Sequence, residues 1–292
     1  MTCNPYEIKV DGQIEVDDFI LKYTQEGNGP PAIVIGSHIY YPRTFSQKLR
    51  EHLQLIFLDQ RAFASRSNTE TVTEEAYGLS KILEDIETLR LKLNLNKIII
   101  IGHSIHAFMA LEYAKRYPKA VSHILLLAAS PITGEKLYQA ADSYFIESVC
   151  PERKALLAEN LKTLEQDTTA HPHLTFVTRM LKFGPMIWYD YTYDASHLWE
   201  GVHLNPIGAA HVWGSMFKNY PIEKNLNKIV CPVFLGLGRY DYWNPPYLWE
   251  NFRSKFADLT IRIFEQSGHT PQREEPELLE DEILKWLKKS KT

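Results

Sequence analysis

A chain of 292 residues with 45% hydrophobic side chains is long enough for a large core, and an α/β fold of this size is commonly one domain with an insertion. A net charge of −4 offers no basic field for nucleic acid or for an anionic membrane. The cysteines, Cys3, Cys150 and Cys231, are widely spaced, form no C-x-x-C pair and suggest no disulfide framework, which suits a reducing cytoplasm.

The first residues, Met1-Thr2-Cys3-Asn4-Pro5-Tyr6-Glu7, carry no basic stretch followed by an apolar one, so no signal peptide is expected. No apolar run approaches the length of a bilayer span. Glu7-Ile8-Lys9-Val10 and Gln13-Ile14-Glu15-Val16 alternate around Asp11-Gly12, which predicts a hairpin turning at that dipeptide. Phe19-Ile20-Leu21-Lys22-Tyr23 extends the antiparallel edge. After Gly27-Asn28-Gly29-Pro30-Pro31, short buried strands are expected at Ala32–Ile35 and Leu53–Leu58. Helical spacing covers Thr73 to Leu93, with Thr73 as candidate N-cap and Glu74 and Glu75 in the first turn. Four isoleucines, Ile98 to Ile101, read as a buried parallel strand. A sharp Gly102-His103-Ser104 turn follows, then a helix that Pro118 stops. Ile124–Leu127 is another buried strand.

The rhythm then breaks. Between about Thr133 and Tyr220 there is no clean apolar strand, only helical stretches such as Glu152–Glu165 and a crowd of rings: Trp188, Tyr189, Tyr191, Tyr193, Trp199 and Trp213. Strands return at Val233–Leu237 and Leu259–Phe264, with helices at roughly Tyr247–Phe256 and Glu277–Lys289. Strands alternating with helices imply an α/β fold with a mainly parallel, doubly wound sheet. The expected division is a core of residues 1–132 and 221–292, with 133–220 as a helical, aromatic-rich cap over the carboxyl ends of the strands, where such sheets bind ligands.

Ser104 stands between a buried strand and a helix, where a tight turn lifts a hydroxyl above the sheet and the helix N-terminus favours developing negative charge. A serine hydroxyl needs a base to take its proton, and the base needs a third group to orient it. His269, in Gln266-Ser267-Gly268-His269-Thr270-Pro271 after the last strand, is the candidate base. Asp241, in the loop after Val233–Leu237, is the candidate acid. The oxyanion would be held by the Ile105 N–H and by an N–H of the loop Gly36–Pro42, with Ser37 as the natural donor. Substrate contacts are expected from His38, His106, Trp188, Trp213 and Tyr242. His106 stands where the turn motif ordinarily has glycine. His171, His173, His197, His203 and His211 lack the spacing of a zinc site, so no metal is expected.

These residues resemble the α/β-hydrolase superfamily over nearly the whole chain, and the order Ser104, Asp241, His269 is that superfamily's order. Asp59-Gln60-Arg61-Ala62-Phe63-Ala64-Ser65 resembles its D-x-R-G-x-G-x-S stretch, with alanines in the glycine positions. The elbow and its helix, Gly236–Pro246, and Ser267–Pro271 before Glu274-Glu275-Pro276 look most like the proline-iminopeptidase-like capped branch. The resemblance implies a serine hydrolase fold and mechanism; the substrate expected is a small molecule or short peptide, water would cleave the acyl-enzyme so that no cofactor is expected, and the cysteine usage places the expected site of action in the cytoplasm. Ile35-Gly36-Ser37-His38-Ile39 and Gly102-His103-Ser104-Ile105-His106 depart from the H-G-G-P-G and G-G-S-W-G of true proline iminopeptidases. An aminopeptidase would also need carboxylates for the substrate ammonium, for which Asp190, Asp194 and Glu200 are the candidates. The leading expectation is hydrolysis of a small ester or amide. The alternatives are a proline-iminopeptidase-like aminopeptidase and a non-catalytic receptor on the same fold.

Overall fold

The computed structural model describes residues 9–68, 72–148 and 150–290. Nine strands form one sheet: β1 (Lys9–Val16), β2 (Phe19–Glu26), β3 (Pro31–Gly36), β4 (Gln54–Asp59), β5 (Ser65–Arg66), β6 (Ile98–His103), β7 (Val121–Leu127), β8 (Val233–Gly238) and β9 (Leu259–Phe264). The order is β1-β2-β4-β3-β6-β7-β8-β9, with the short β5 paired to β2. From β4 to β9 every pairing along this path is parallel, whereas β1 and β2 make an antiparallel edge. The chain runs outward from β3 to β4 and then returns to β3's other side as β6. That reversal opens a crevice beyond the carboxyl ends of β3 and β6, the place where open α/β sheets bind ligands.

The predicted apolar runs became strands because both sheet faces are covered. Ile33, Ile35, Ile98, Ile100, Ile124 and Leu126 join one core with the helices Leu79–Lys92 and His106–Arg116. Val34, Phe57, Ile99, Ile101, Leu125 and Phe234 join the other, under the helix Pro276–Lys289. That last helix buries Leu279, Ile283, Trp286 and Leu287, one stripe at helical spacing.

Three boundary expectations need correction. Glu7 and Ile8 lie outside the described residues, but Asp11-Gly12 sits inside β1, opposite Thr24 and Tyr23. The hairpin turns at Asp17-Asp18, with Asp17 in the left-handed region at φ 51°. Gly12 is there to admit the Tyr23 ring, since a Cβ would come within 2.4 Å of it. The Asp17 carboxylate is held by Arg61 at 2.9 Å and Lys81 at 3.3 Å, partners far away in the chain. The stretch from Thr73 splits into a 3-10 turn at Glu74–Tyr77 and an α-helix that begins after Gly78. Residues 247–256 make two short 3-10 turns, Pro246–Trp249 and Arg253–Lys255, instead of a helix. Proline initiates the first turn, and Trp249 is drawn into the core with its indole N–H on the Ala129 carbonyl at 2.8 Å.

Between β7 and β8 the described residues contain helices and no strand. The longer helices are Glu135–Ile146, Pro151–Lys162, Leu164–Ala170 and Thr175–Lys182. Buried Arg153 ties this segment together. Its guanidinium donates to the carbonyls of Pro185, Trp188 and Tyr189 and lies over the rings of Tyr191, Tyr240 and Tyr242. No helix among the described residues is long and apolar enough to cross a membrane.

Candidate active site

Ser104 follows β6 with φ 56°, a left-handed conformation that costs a non-glycine residue roughly 1–3 kcal/mol unless its surroundings enforce it. Here its N–H donates to the Leu127 carbonyl at 2.8 Å, and its carbonyl accepts the Ala107 N–H at 3.0 Å. Gly102 permits the turn, because a Cβ there would come 2.3 Å from the His106 carbonyl oxygen. The motif's usual second glycine is absent, and room for the His106 ring comes from another element. Gly36, at the end of β3 with φ 144°, lies so close that a Cβ would meet Tyr41 at 2.1 Å and His106 Cε1 at 3.1 Å.

His103, Tyr41 and His106 form a buried chain whose proton positions follow from hydrogen-bond logic. His103 Nε2 faces the His269 carbonyl at 2.6 Å, and a carbonyl only accepts, so Nε2 carries the proton. Burial holds His103 neutral, well below the usual histidine range. Its Nδ1 is then an acceptor and takes the Tyr41 hydroxyl proton at 3.2 Å. The Tyr41 oxygen accepts in turn from His106 Nδ1 at 3.0 Å. His106 Nε2 is left as a buried acceptor without a partner, beside Phe63 and Trp213. Burial pushes the His106 imidazole down to about 3, so it too is neutral.

Asp241 lies in the turn after β8 and is fully buried. Its Oδ1 accepts the N–H groups of Trp243 at 3.1 Å and Asn244 at 2.9 Å, and Oδ2 meets His269 Nδ1 at 2.8 Å. A carboxylate at Nδ1 fixes that proton and leaves Nε2 as the basic nitrogen. The backbone around His269 is held as firmly. Its N–H donates to the Ile187 carbonyl at 2.6 Å, and its carbonyl takes the proton of His103 Nε2. Gly268 packs against the same segment, and a Cβ on it would come 2.3 Å from the Ile187 oxygen.

Ser104 and His269 open onto one cavity of about 560 Å³, the size of a small-molecule site. Of the expected contacts, Ile105, His106, Trp188 and Trp213 line it. Ser37, His38 and Tyr242 do not. Ser37 Oγ accepts the N–H groups of Ile39 and Tyr40 at 3.2 Å and 3.1 Å. His38 turns away to Asp59, which takes both its backbone N–H at 2.8 Å and its Nδ1 at 2.7 Å. Tyr242 is buried beneath the Arg153 guanidinium and against Phe145, because its N–H is tied to the Met186 carbonyl at 3.0 Å.

The proposed ammonium ligands are also elsewhere. Asp190 and Asp194 accept the N–H groups of Thr192 and Ser196, and Glu200 is exposed beside a separate groove. Asp142, at the exposed rim with Arg179 and Lys218, is the one acid lining the main cavity among the described residues. The sequence reading missed Tyr40, Phe63, Phe176 and Phe183, which complete the aromatic wall. Their aromatic type was visible, but Tyr40, Phe63 and Phe183 lie in loops, a 3-10 turn or a helix junction with no periodic signature, and the amphipathic helix Thr175–Lys182 that carries Phe176 does not say what its apolar face meets. Among the described residues no group of three or more His, Cys, Asp or Glu side chains is arranged to hold a metal.

Comparison with known proteins agrees with this architecture. The chain is 38% identical to the AB hydrolase superfamily protein YclE of Bacillus subtilis over 272 residues, 93% of this chain and 96% of that protein. It is 23% identical to a proline iminopeptidase of Heyndrickxia coagulans, over 88% of this chain and 90% of the relative. The crystal structure of VinJ superposes with a TM-score of 0.76 at 18% identity, covering 98% of this chain and all (100%) of that one. A family model for the alpha/beta hydrolase fold matches residues 28–276, and the chain belongs to that family.

Proposed function

We propose that this α/β hydrolase is a serine hydrolase that cleaves small esters carrying an apolar or aromatic group. The observation that carries the reading is the sharing of one apolar cavity by Ser104, held in a left-handed turn at a helix start, and by His269, whose Nδ1 is paired with buried Asp241. In the proposed cycle His269 Nε2 takes the Ser104 hydroxyl proton as Oγ attacks the ester carbonyl. The Ile105 N–H, at the cavity wall, holds the oxyanion; Ser37, the expected second donor, lies outside the cavity lining. The His38 N–H is spent on Asp59, and the Ser37 hydroxyl is spent on its own loop. Collapse of the tetrahedral intermediate breaks the ester C–O bond, and His269 returns the proton to the departing alcohol. Water, deprotonated by His269, then releases the acid and regenerates Ser104. The segment 133–220 serves as the cap, its rings Trp188, Trp199 and Trp213 facing the acyl or leaving group.

The relatives that are proline iminopeptidases suggest a second reading, release of an N-terminal residue. An α-ammonium beside the scissile bond calls for a nearby carboxylate, yet the acid at this cavity, Asp142, stands on the exposed rim. That favours the ester. Intact-protein mass spectrometry after a fluorophosphonate, with Ser104→Ala alongside, tests the reading. One adduct on the wild type and none on the variant is expected. An adduct that persists on Ser104→Ala, or none on folded wild type, would overturn it. Faster turnover of an aryl ester than of a prolyl-arylamide separates the two substrate classes.

A further inference from the structure

We infer that Glu274 is a positioning residue for His269, clasping the loop that carries it to the Gly184–Tyr189 segment of the helical insertion. The role rests on the serine-hydrolase reading above, but the geometry stands by itself. Glu274 Oε2 accepts the N–H of Gly268 at 2.9 Å and that of Thr270 at 3.1 Å, the residues on either side of His269. Its Oε1 accepts the N–H of Tyr189 at 2.6 Å. The His269 N–H crosses the same seam to Ile187, so loop and insertion are joined twice within a few residues. The next residue extends the grip: Glu275 Oε2 takes the Gln266 N–H at 2.8 Å and the Ser267 hydroxyl at 2.7 Å. Two consecutive carboxylates therefore hold the backbone from residue 266 to residue 270.

Such a clasp depends on charge. A carboxylate has acceptor sites for all three N–H groups, and bonds to an ionised acceptor are roughly twice as strong as neutral ones. A protonated carboxyl gives up one oxygen's acceptor capacity and weakens the rest. Glu274 makes no ion pair among the described residues. Asp241 acts on it as an anionic neighbour and raises it further, burial keeps the nearby Tyr40 hydroxyl neutral by pushing it well above its ordinary range, and adjacent Arg273 directs its Nε to the Tyr193 hydroxyl at 3.4 Å. Burial, opposed by the three N–H groups, pushes Glu274 up to about 7. The carboxylate is thus present above neutrality and lost below it, so the loop is firm on the alkaline side and loosens as pH falls.

Two measurements test this. In Glu274→Gln, kcat on an aryl ester falls about tenfold with KM little changed, the signature of a displaced catalytic group rather than lost binding. The wild-type kcat/KM profile carries a step of about tenfold as pH falls through about 7, where Glu274 takes up a proton, and that step is missing from the acid limb of Glu274→Gln. Unchanged kcat and an unchanged limb would overturn the inference. Amide hydrogen exchange on the wild type, corrected for intrinsic rates, covers the case in which the variant fails to fold. Protection of the Tyr189, Gly268 and Thr270 amides falls between pH 8 and pH 6 if the clasp operates, and equal protection at both would overturn it. Exchange needs no turnover. A wild type that takes no fluorophosphonate would therefore remove the enzymatic reading and leave this measurement standing.

Discussion

The two loops that meet at the cavity are secured by opposite physics. The Ser104 elbow is held without charge: a strained backbone, Gly102 and Gly36 for close approach, and a chain of neutral groups, His103, Tyr41 and His106. The His269 loop is held by carboxylates: Asp241 on its side chain, Glu274 and Glu275 on its backbone. The comparison teaches where pH can act. Burial has already silenced both elbow histidines, whereas the His269 loop depends in part on Glu274, whose carboxyl burial pushes up to about 7. The hydrogen bond between the loops, His103 Nε2 to the His269 carbonyl, belongs to the uncharged set and keeps the two in register at any neutral pH.

Replacing charge in the second loop should produce the largest effect. Asp241→Asn keeps the shape but favours the wrong His269 tautomer, and kcat should fall by about 10⁴ with the fold intact by circular dichroism. A fall of less than tenfold would detach Asp241 from the chemistry. An intermediate effect is expected on the elbow. Tyr41→Phe strips His103 Nδ1 and His106 Nδ1 of their shared partner in a buried site, at a cost of about 1–3 kcal/mol in denaturant unfolding. That loss should be nearly the same at pH 7 and pH 8.5. A strong dependence in that window would mean the elbow is not the neutral region described.

The smallest effect concerns His106. Its folded value of about 3 lies below the ordinary 6.5, so the unfolded chain binds a proton that the folded one refuses. Stability from this group is therefore complete above about 6.5 and is lost as pH falls toward 3. His106→Phe removes the titration along with the unpartnered Nε2. The melting temperature should then decline less steeply between pH 6 and pH 4 than in the wild type, and equal slopes would break the assignment.

Much of this was legible along the chain. The apolar runs at Ile33–Ile35, Ile98–Ile101 and Phe234–Leu237 became central strands, since a strand covered on both faces has no polar side to hide. Asp241 and His269 could be paired before any coordinates because each follows a strand, and parallel strands end on the same edge of a sheet. Glu274 was visible as part of Glu274-Glu275-Pro276, yet nothing local tells that its acceptors serve amides on both sides of a histidine and one from the insertion.

What the sequence by itself determined is the alternation of strand and helix and the chemistry present at strand ends. These follow from periodicity and turn chemistry, both short-range. The tertiary structure alone decided the partners. It moved the hairpin turn to Asp17-Asp18, where Arg61 and Lys81 neutralise a carboxylate. It sent His38 to Asp59 and Tyr242 under Arg153, and gave His106 the space left by Gly36. Each choice balances desolvation against one particular neighbour, and a neighbour distant in sequence acquires its position only when the sheet closes.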